Sequence, residues 1–359
     1  MDPDGRTLAS RSSQSDSGAS PRASRAPAVD IHAHYYPEAY LDLFNEEGKR
    51  FGAESHRSPQ GFYYKVPASV GVPNAGSASR PFPVKFIDLK QRIEDMDRQG
   101  VGMQALSLTL PMVYWGDAEF DHKLARAWND AASAAHQNYP TRFVGLLTLP
   151  MLYPDRAVDE LNRAAGLPGM RGVYLGTNIN SKDLDDPLFE PIWTRIEKLS
   201  LPVFLHPIQT VGGERLRPYY LANLLGNPMD TAIAACHLIF GGVLDRHPSL
   251  EITLPHGGGA LPILIGRIDH GWKVRPEARN LPQAPSTYLA RFTYDTIVHS
   301  RQIMEFILRE AGAERVMLGS DYCFDMGYER PVEFLDQIEL SSAQRALILG
   351  GNAARLLKL

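Results

Sequence analysis

The sequence predicts an α/β protein, a (β/α)8 TIM-type barrel with a small lid insertion after the first strand. Three observations predict it. About eight short β-prone apolar runs alternate with longer segments whose apolar residues recur at helical spacing, the pattern of repeated βα units. Four of those runs end in residue types that bind metals, and the carboxyl ends of the strands are where such a barrel builds its chemistry. The Gly-rich turn that would mark an open dinucleotide-binding sheet is absent after the first run, where His32-Ala33-His34 stands instead, and Gly257-Gly258-Gly259 lacks its spacing.

Residues 1–27 are rich in Ser, Arg, Ala and Asp without an apolar stretch, and read as a disordered tail rather than a secretory signal. Asp2, Asp4 and Asp16 argue against a transit peptide. A single barrel domain then spans 28–359. Its first strand is 29–34. From about 35 to 85 the alternation breaks into Pro, Gly, Ser and Asn around a β-like patch at 61–66, which reads as the lid insertion, lying over the carboxyl face of the barrel. Further strands are expected at 103–108, 143–147, 170–175, 202–206, 251–255, 291–295 and 315–319, with helices at 86–99, 121–139, 154–165, 188–199, 229–240, 301–311 and 331–337. Two short closing helices, 343–349 and 353–357, end the chain.

The 359 residues, 44% of them hydrophobic, supply one large barrel core. With a net charge of −4 and no basic cluster interleaved with aromatics, no nucleic-acid partner is expected. No apolar run approaches the roughly 20 residues that cross a bilayer, so no membrane partner is expected either. Cys236 and Cys323, far apart in sequence, make no disulfide framework and suit a reducing, cytoplasmic setting.

Candidate chemistry begins at His32 and His34, which at i and i+2 in a strand point to the same face. His206 ends the fifth strand, His256 the sixth, and Asp321 follows the eighth. Each has a plain alternative: His206 before a proline caps a strand, Asp321 caps a turn, and 255–257 makes a tight turn ahead of a helix at Ala260. Joint occurrence at matching barrel positions favours a metal. Three neutral imidazoles, one carboxylate and an open water position fit catalytic Zn2+ best, with Mn2+ or Fe2+ as alternatives. The fourth strand, Gly172-Val173-Tyr174-Leu175-Gly176, has no lysine to bridge two metals, so one ion per chain is expected. Cys323 has no base arranged for a nucleophilic role, and the remaining histidines, at 56, 122, 136, 237, 247, 270 and 299, sit in loops or helical segments.

Several segments extend these landmarks: Asp30-Ile31-His32-Ala33-His34, Arg92-Ile93-Glu94-Asp95-Met96-Asp97, His206-Pro207, His256-Gly257-Gly258-Gly259-Ala260, Gly266-Arg267-Ile268, Leu318-Gly319-Ser320-Asp321-Tyr322 and Gly351-Asn352-Ala353-Ala354-Arg355. Together they resemble the amidohydrolase superfamily, in the branch that contains aminocarboxymuconate semialdehyde decarboxylase and related non-oxidative decarboxylases. The resemblance implies His32, His34, His206 and Asp321 as metal ligands and His256 as a catalytic residue beside the metal-bound water. It implies Arg267 as a substrate-carboxylate contact that reaches a neighbouring subunit's site, and with it a homodimer. Where the branch has a lid arginine, the patch Phe62-Tyr63-Tyr64-Lys65 offers Lys65; where it has Pro-Phe after Asp-Tyr, Cys323-Phe324 stands, so Lys65 and Phe324 are the expected substrate contacts. Ile208 replaces a tryptophan after His-Pro. The implied activity is decarboxylation of a small unsaturated or aromatic carboxylic acid, aminocarboxymuconate semialdehyde-like or hydroxybenzoate-like, in aromatic compound catabolism. The same mononuclear site would also serve a hydrolase or hydratase acting on a ring-cleavage product, and a non-catalytic barrel that binds small acids is the third alternative.

Overall fold

The computed structural model describes residues 27–67 and 81–359; the expected tail, apart from Pro27, and part of the expected lid lie outside the described residues. Eight parallel strands pair in sequence order. They are β1 (Ala28–His34), β2 (Val101–Ser107), β3 (Phe143–Leu147), β4 (Met170–Gly176), β5 (Val203–His206), β6 (Ile252–Leu254), β7 (Phe292–Asp295) and β8 (Val316–Met317). The ring closes where Ile31 N donates to Leu318 O at 2.9 Å and Ala33 bridges in parallel to Tyr322. Strands such as β3, buried at every residue, read as continuous apolar runs because helices cover one face and the barrel interior the other.

The helical layer comprises α1 (Leu89–Gln99), α2 (Ala118–Asn138), α3 (Pro154–Ala164), α4 (Glu190–Leu199), α5 (Asn227–Phe240), α6 (Leu261–Val274) and α7 (Arg301–Ala311). Helix α1 starts three residues later than its apolar spacing suggests, because Asp88 caps it by accepting from Lys90 N and Gln91 N. Gly100, left-handed at φ 73°, ends it. Strand β8 is shorter than the expected 315–319 because its backbone changes partners: Leu318 N donates to Ile348 O in the closing segment, and Gly319 N to Thr296 Oγ1.

Between β1 and α1 the described residues form a helix, Glu38–Glu46, and a three-stranded antiparallel sheet of Glu54–Ser58, Gly61–Lys65 and Phe82–Pro83. Buried Tyr36, Tyr40, Phe44, Phe62, Tyr64 and Phe86 pack this subdomain onto the barrel. Aromatic burial of this density holds a small sheet that would be marginal alone. No described helix is long and apolar enough to cross a membrane.

Candidate metal centre

Asp30 explains how the chain ends meet. It is fully buried in β1, and its carboxylate accepts from His32 N at 3.1 Å, Ser320 N at 3.0 Å, Ser320 Oγ, and Gln104 Nε2 at 3.1 Å. Four donors on one carboxylate pin β1 to the segment after β8. Burial raises the Asp30 carboxyl to about 6 against the pull of those bonds. Asp321 N then donates to His32 O at 2.9 Å, and His34 N to Tyr322 O at 2.7 Å. Barrel closure therefore sets the positions of His32, His34 and Asp321 together. Arg92, also fully buried, donates to His34 O and to Gln104 Oε1, bracing the same junction from α1.

His206, ending β5, completes the group. One donor atom from each of His32, His34, His206 and Asp321 lies within 4.8 Å of the others, and all four residues are buried. The rings meet edge-on, with centroids 5.0 Å apart for His32–His34, 4.9 Å for His34–His206 and 5.2 Å for His32–His206. Tyr174 of β4 lies near-parallel to His206 at 5.8 Å and backs it. His34 Nε2 lies 2.9 Å from Asp321 Oδ1, while its Nδ1 faces Ser107 Oγ at 3.2 Å.

His32 carries the telling atom. Its Nδ1 is 2.8 Å from Asp295 Oδ2, which fixes the proton there and turns the Nε2 lone pair inward; that Nε2 is buried and has no hydrogen-bond partner. Leaving a buried polar atom unpaired costs about 1–3 kcal/mol. A divalent cation held by the four donors relieves that cost, and three imidazoles with one carboxylate are the donor set for a borderline cation. The residues fit the metal.

The electrostatics agree. Burial alone would raise Asp321, but the His34 hydrogen bond and the neighbouring imidazoles hold it at about 2. Burial lowers His34 to about 4 and takes His206 well below the usual histidine range. His32 moves up instead: burial pulls it down, and the Asp295 hydrogen bond with the Asp321 charge overcomes that pull. A proton on His32 and a cation among the four donors are alternative ways to compensate two buried carboxylates, Asp295 and Asp321.

His256 stands beside the group, its ring 5.4 Å from that of His32 and 5.6 Å from that of His206, with Nε2 4.0 Å from Asp321 Oδ2. Burial lowers its pKa, so it is a neutral imidazole near pH 7, and its Nδ1 is buried without a partner. Its backbone is left-handed at φ 54°, as is that of Asp321 at φ 59°. Such conformations cost about 1–3 kcal/mol and persist only when the surroundings impose them. Gly259 shows how: a Cβ there would lie 2.2 Å from Pro228 O, so only glycine lets the turn after His256 press against the start of α5.

A cavity of about 1050 Å³ opens onto this group, lined among others by Tyr64, Phe82, Lys85, Phe86, His206, Asp321, Tyr322 and Phe324. Phe324 packs on His34 with centroids 5.3 Å apart. Two of the expected substrate contacts do not line this chain's own cavity. Lys65 is paired across its sheet to Glu54 at 2.7 Å, because alternation along 61–65 turns Tyr64 to the cavity and Lys65 to solvent. Arg267 is exposed on α6 and does not line this chain's own cavity. Asp295, at the end of β7, escaped the sequence reading. It accepts from Gly257 N at 2.8 Å and Ile297 N at 3.1 Å as well as contacting His32, and an aspartate at a barrel strand's carboxyl end was the available signal.

Known proteins place the chain among relatives of consistent chemistry. The amidohydrolase family model matches residues 29–359. The 2-amino-3-carboxymuconate-6-semialdehyde decarboxylase of Dictyostelium discoideum is 34% identical over 344 residues, 93% of this chain and 92% of its own. The gamma-resorcylate decarboxylase of Rhodococcus jostii is 30% identical over 77% of this chain and 89% of its own. Among solved structures, 5-carboxyvanillate decarboxylase from Sphingomonas paucimobilis superposes with a TM-score of 0.81 at 27% identity, covering 93% of this chain and 99% of that one. With the family model spanning the barrel, this chain belongs to the amidohydrolase family, in the branch of its metal-dependent decarboxylases.

Proposed function

We propose that this protein is a metal-dependent carboxy-lyase that removes CO2 without oxidation from a small unsaturated or aromatic carboxylic acid. The observation that carries the reading is the buried convergence of His32, His34, His206 and Asp321 at a large cavity, with neutral His256 beside them. Zn2+ is the cation best matched to those four ligands, one per chain, with Mn2+ and Fe2+ as competitors. When bound, it supplies Lewis-acid polarisation of substrate oxygen and a water acidified toward neutrality.

The protein's own groups do the rest. His256, held neutral by burial, takes up a proton and delivers it to the carbon that bears the leaving carboxylate. CO2 departs with that carbon's former bond broken, and the delivered proton stands in its place as conjugation is restored. Phe324 and Tyr322 give the cavity an aromatic wall suited to a planar acid.

Arg267 acts from a partner subunit, on a carboxylate that stays rather than the one that leaves, because pairing the departing charge would stabilise the ground state. A homodimer is supported by exposed apolar side chains beside it. Ile263 and Val274 on α6, and Leu224, Leu225 and Met229 in and just before α5, are exposed, and clustered exposed apolar side chains mark interfaces. The two free cysteines suit a cytoplasmic location.

The test is CO2 evolution from a panel of muconate-type and hydroxybenzoic acids by metal-loaded and chelator-treated protein. Metal-dependent CO2 release is expected. Substrate consumed with water uptake and no CO2 would replace this reading with a hydrolase or hydratase.

A further inference from the structure

Three cations among the described residues line the cavity: Lys85, Arg98 and Arg330. Two are neutralised. Arg98 is ion-paired with Asp95, and Arg330 with Glu333 at 2.7 Å. Asp95 is further engaged by the Tyr322 hydroxyl, which donates to its Oδ2 at 2.6 Å. Lys85 is left with the remainder: its Nζ lies 4.0 Å from Asp95 Oδ2, at the limit of an ion pair, and 5.3 Å from the centroid of the Tyr322 ring.

Its neighbours tie this part of the chain to the metal-binding group. Arg92 holds the other contact on Tyr322, 4.6 Å from the ring centroid, and Tyr322 directly follows the candidate ligand Asp321. Phe86, next to Lys85, packs on Phe324 at 5.0 Å, and Phe324 packs on His34 at 5.3 Å. The ring of the residue after Lys85 thus reaches the metal-binding His34 through one further ring, and Lys85, His206 and Asp321 line one cavity. Among the described residues that line the cavity, Lys85 and the metal-binding group are the two places that attract a carboxylate.

We propose that Lys85 is a specificity-determining residue, selecting acids that carry a second carboxylate at the end remote from the metal over acids with one carboxylate. The assignment rests on the cavity being the substrate site of the lyase proposed above. A lysine suits this role because three rotatable donors on a flexible stem can leave the distant Asp95 for a closer carboxylate.

The test uses rigid probes and does not require turnover. Binding of benzoate, phthalate, isophthalate and terephthalate to Zn2+-loaded full-length protein is measured by calorimetry, for wild type, Lys85→Met and Lys85→Arg. At least one dicarboxylate is expected to bind wild type about tenfold to hundredfold tighter than benzoate, the range of a charge-assisted hydrogen bond. Lys85→Met should erase that preference with benzoate affinity and Tm unchanged, and Lys85→Arg should retain most of it. Equal binding of mono- and dicarboxylates by wild type, no binding of any dicarboxylate, or parallel loss of both classes in Lys85→Met would overturn the assignment. CO2 release is scored separately: a protein that never releases CO2 yet keeps the Lys85-dependent preference sinks the lyase reading alone.

Discussion

Two histidine-carboxylate groups in this protein look alike on paper and differ in what they leave unpaired. His247, buried between α4 and the segment entering β6, has Nδ1 3.0 Å from Glu197 Oε2 and Nε2 2.8 Å from Glu190 Oε1. The carboxylates are themselves occupied, Glu197 by Ser249 N and Oγ at 2.9 and 2.7 Å, Glu190 by Arg246. Each of those polar atoms looks at a different partner. At the barrel mouth the donors of His32, His34, His206 and Asp321 look at one another instead, and His32 Nε2, 3.6 Å from Asp321 Oδ1, makes no hydrogen bond. A network complete within itself stabilises the fold; one whose lone pairs converge is built to be completed by a cation.

Substitutions test that contrast. The largest effect is expected for Asp321→Ala or His206→Ala, which should abolish stoichiometric metal and lower kcat by at least about 10⁴-fold, read by elemental analysis and CO2 release. His256→Ala should lower kcat by about 10²–10⁴-fold with metal content retained, separating proton transfer from metal binding. Normal turnover in that variant would remove His256 from the chemistry. Asp295→Asn, which touches His32, Gly257 N and Ile297 N but is not one of the four converging ligands, should weaken metal affinity by about 10–100-fold, measured by chelator competition. His247→Ala is expected to leave metal affinity and KM untouched and to lower stability by about 1–3 kcal/mol, seen as a Tm drop of a few degrees. If His247→Ala lost metal, the distinction between the two groups would fail.

Acid should act on the metal-binding group through its depressed histidines. His34 at about 4 and His206 well below the usual histidine value bind protons more readily in the unfolded chain than in the fold. Between pH 6.5 and about 4 the unfolded state therefore holds more protons, and these two residues make stability fall as pH falls. Metal binding also needs His32 deprotonated, and His32 is raised in the fold, so protons should displace the metal first at His32 and at His34 only near pH 4. Thermal melts of metal-loaded protein from pH 7 to 4 should show metal release preceding unfolding.

What the sequence revealed follows the physics of each signal. Strand and helix periodicity marked β3 and α7 to the residue, because parallel strands covered on both faces and amphipathic helices are written in apolar spacing. Barrel position brought His32, His34, His206, His256 and Asp321 under suspicion, since metal ligands at strand ends are local in sequence and the fold supplies their convergence. Lys65 went astray on the parity of one strand: 64 and 65 point to opposite faces, and no periodicity of so short and irregular an insertion fixes which one is inward. Asp295 and Lys85 were missed for another reason. Their roles lie in what they touch, His32 in one case and Tyr322 in the other, and contacts across 263 and 237 residues of chain leave no local pattern.

Four convergent donors that serve a metal-dependent lyase make CO2 release depend on bound metal. The most direct measurement is CO2 released by metal-free protein titrated with Zn2+, against the same titration of Asp321→Ala, on the muconate-type and hydroxybenzoic acid panel. CO2 production that rises to a plateau at one equivalent of metal per chain, absent in the variant, is the predicted result. CO2 release by the metal-free protein, or release that Asp321→Ala retains, would contradict it.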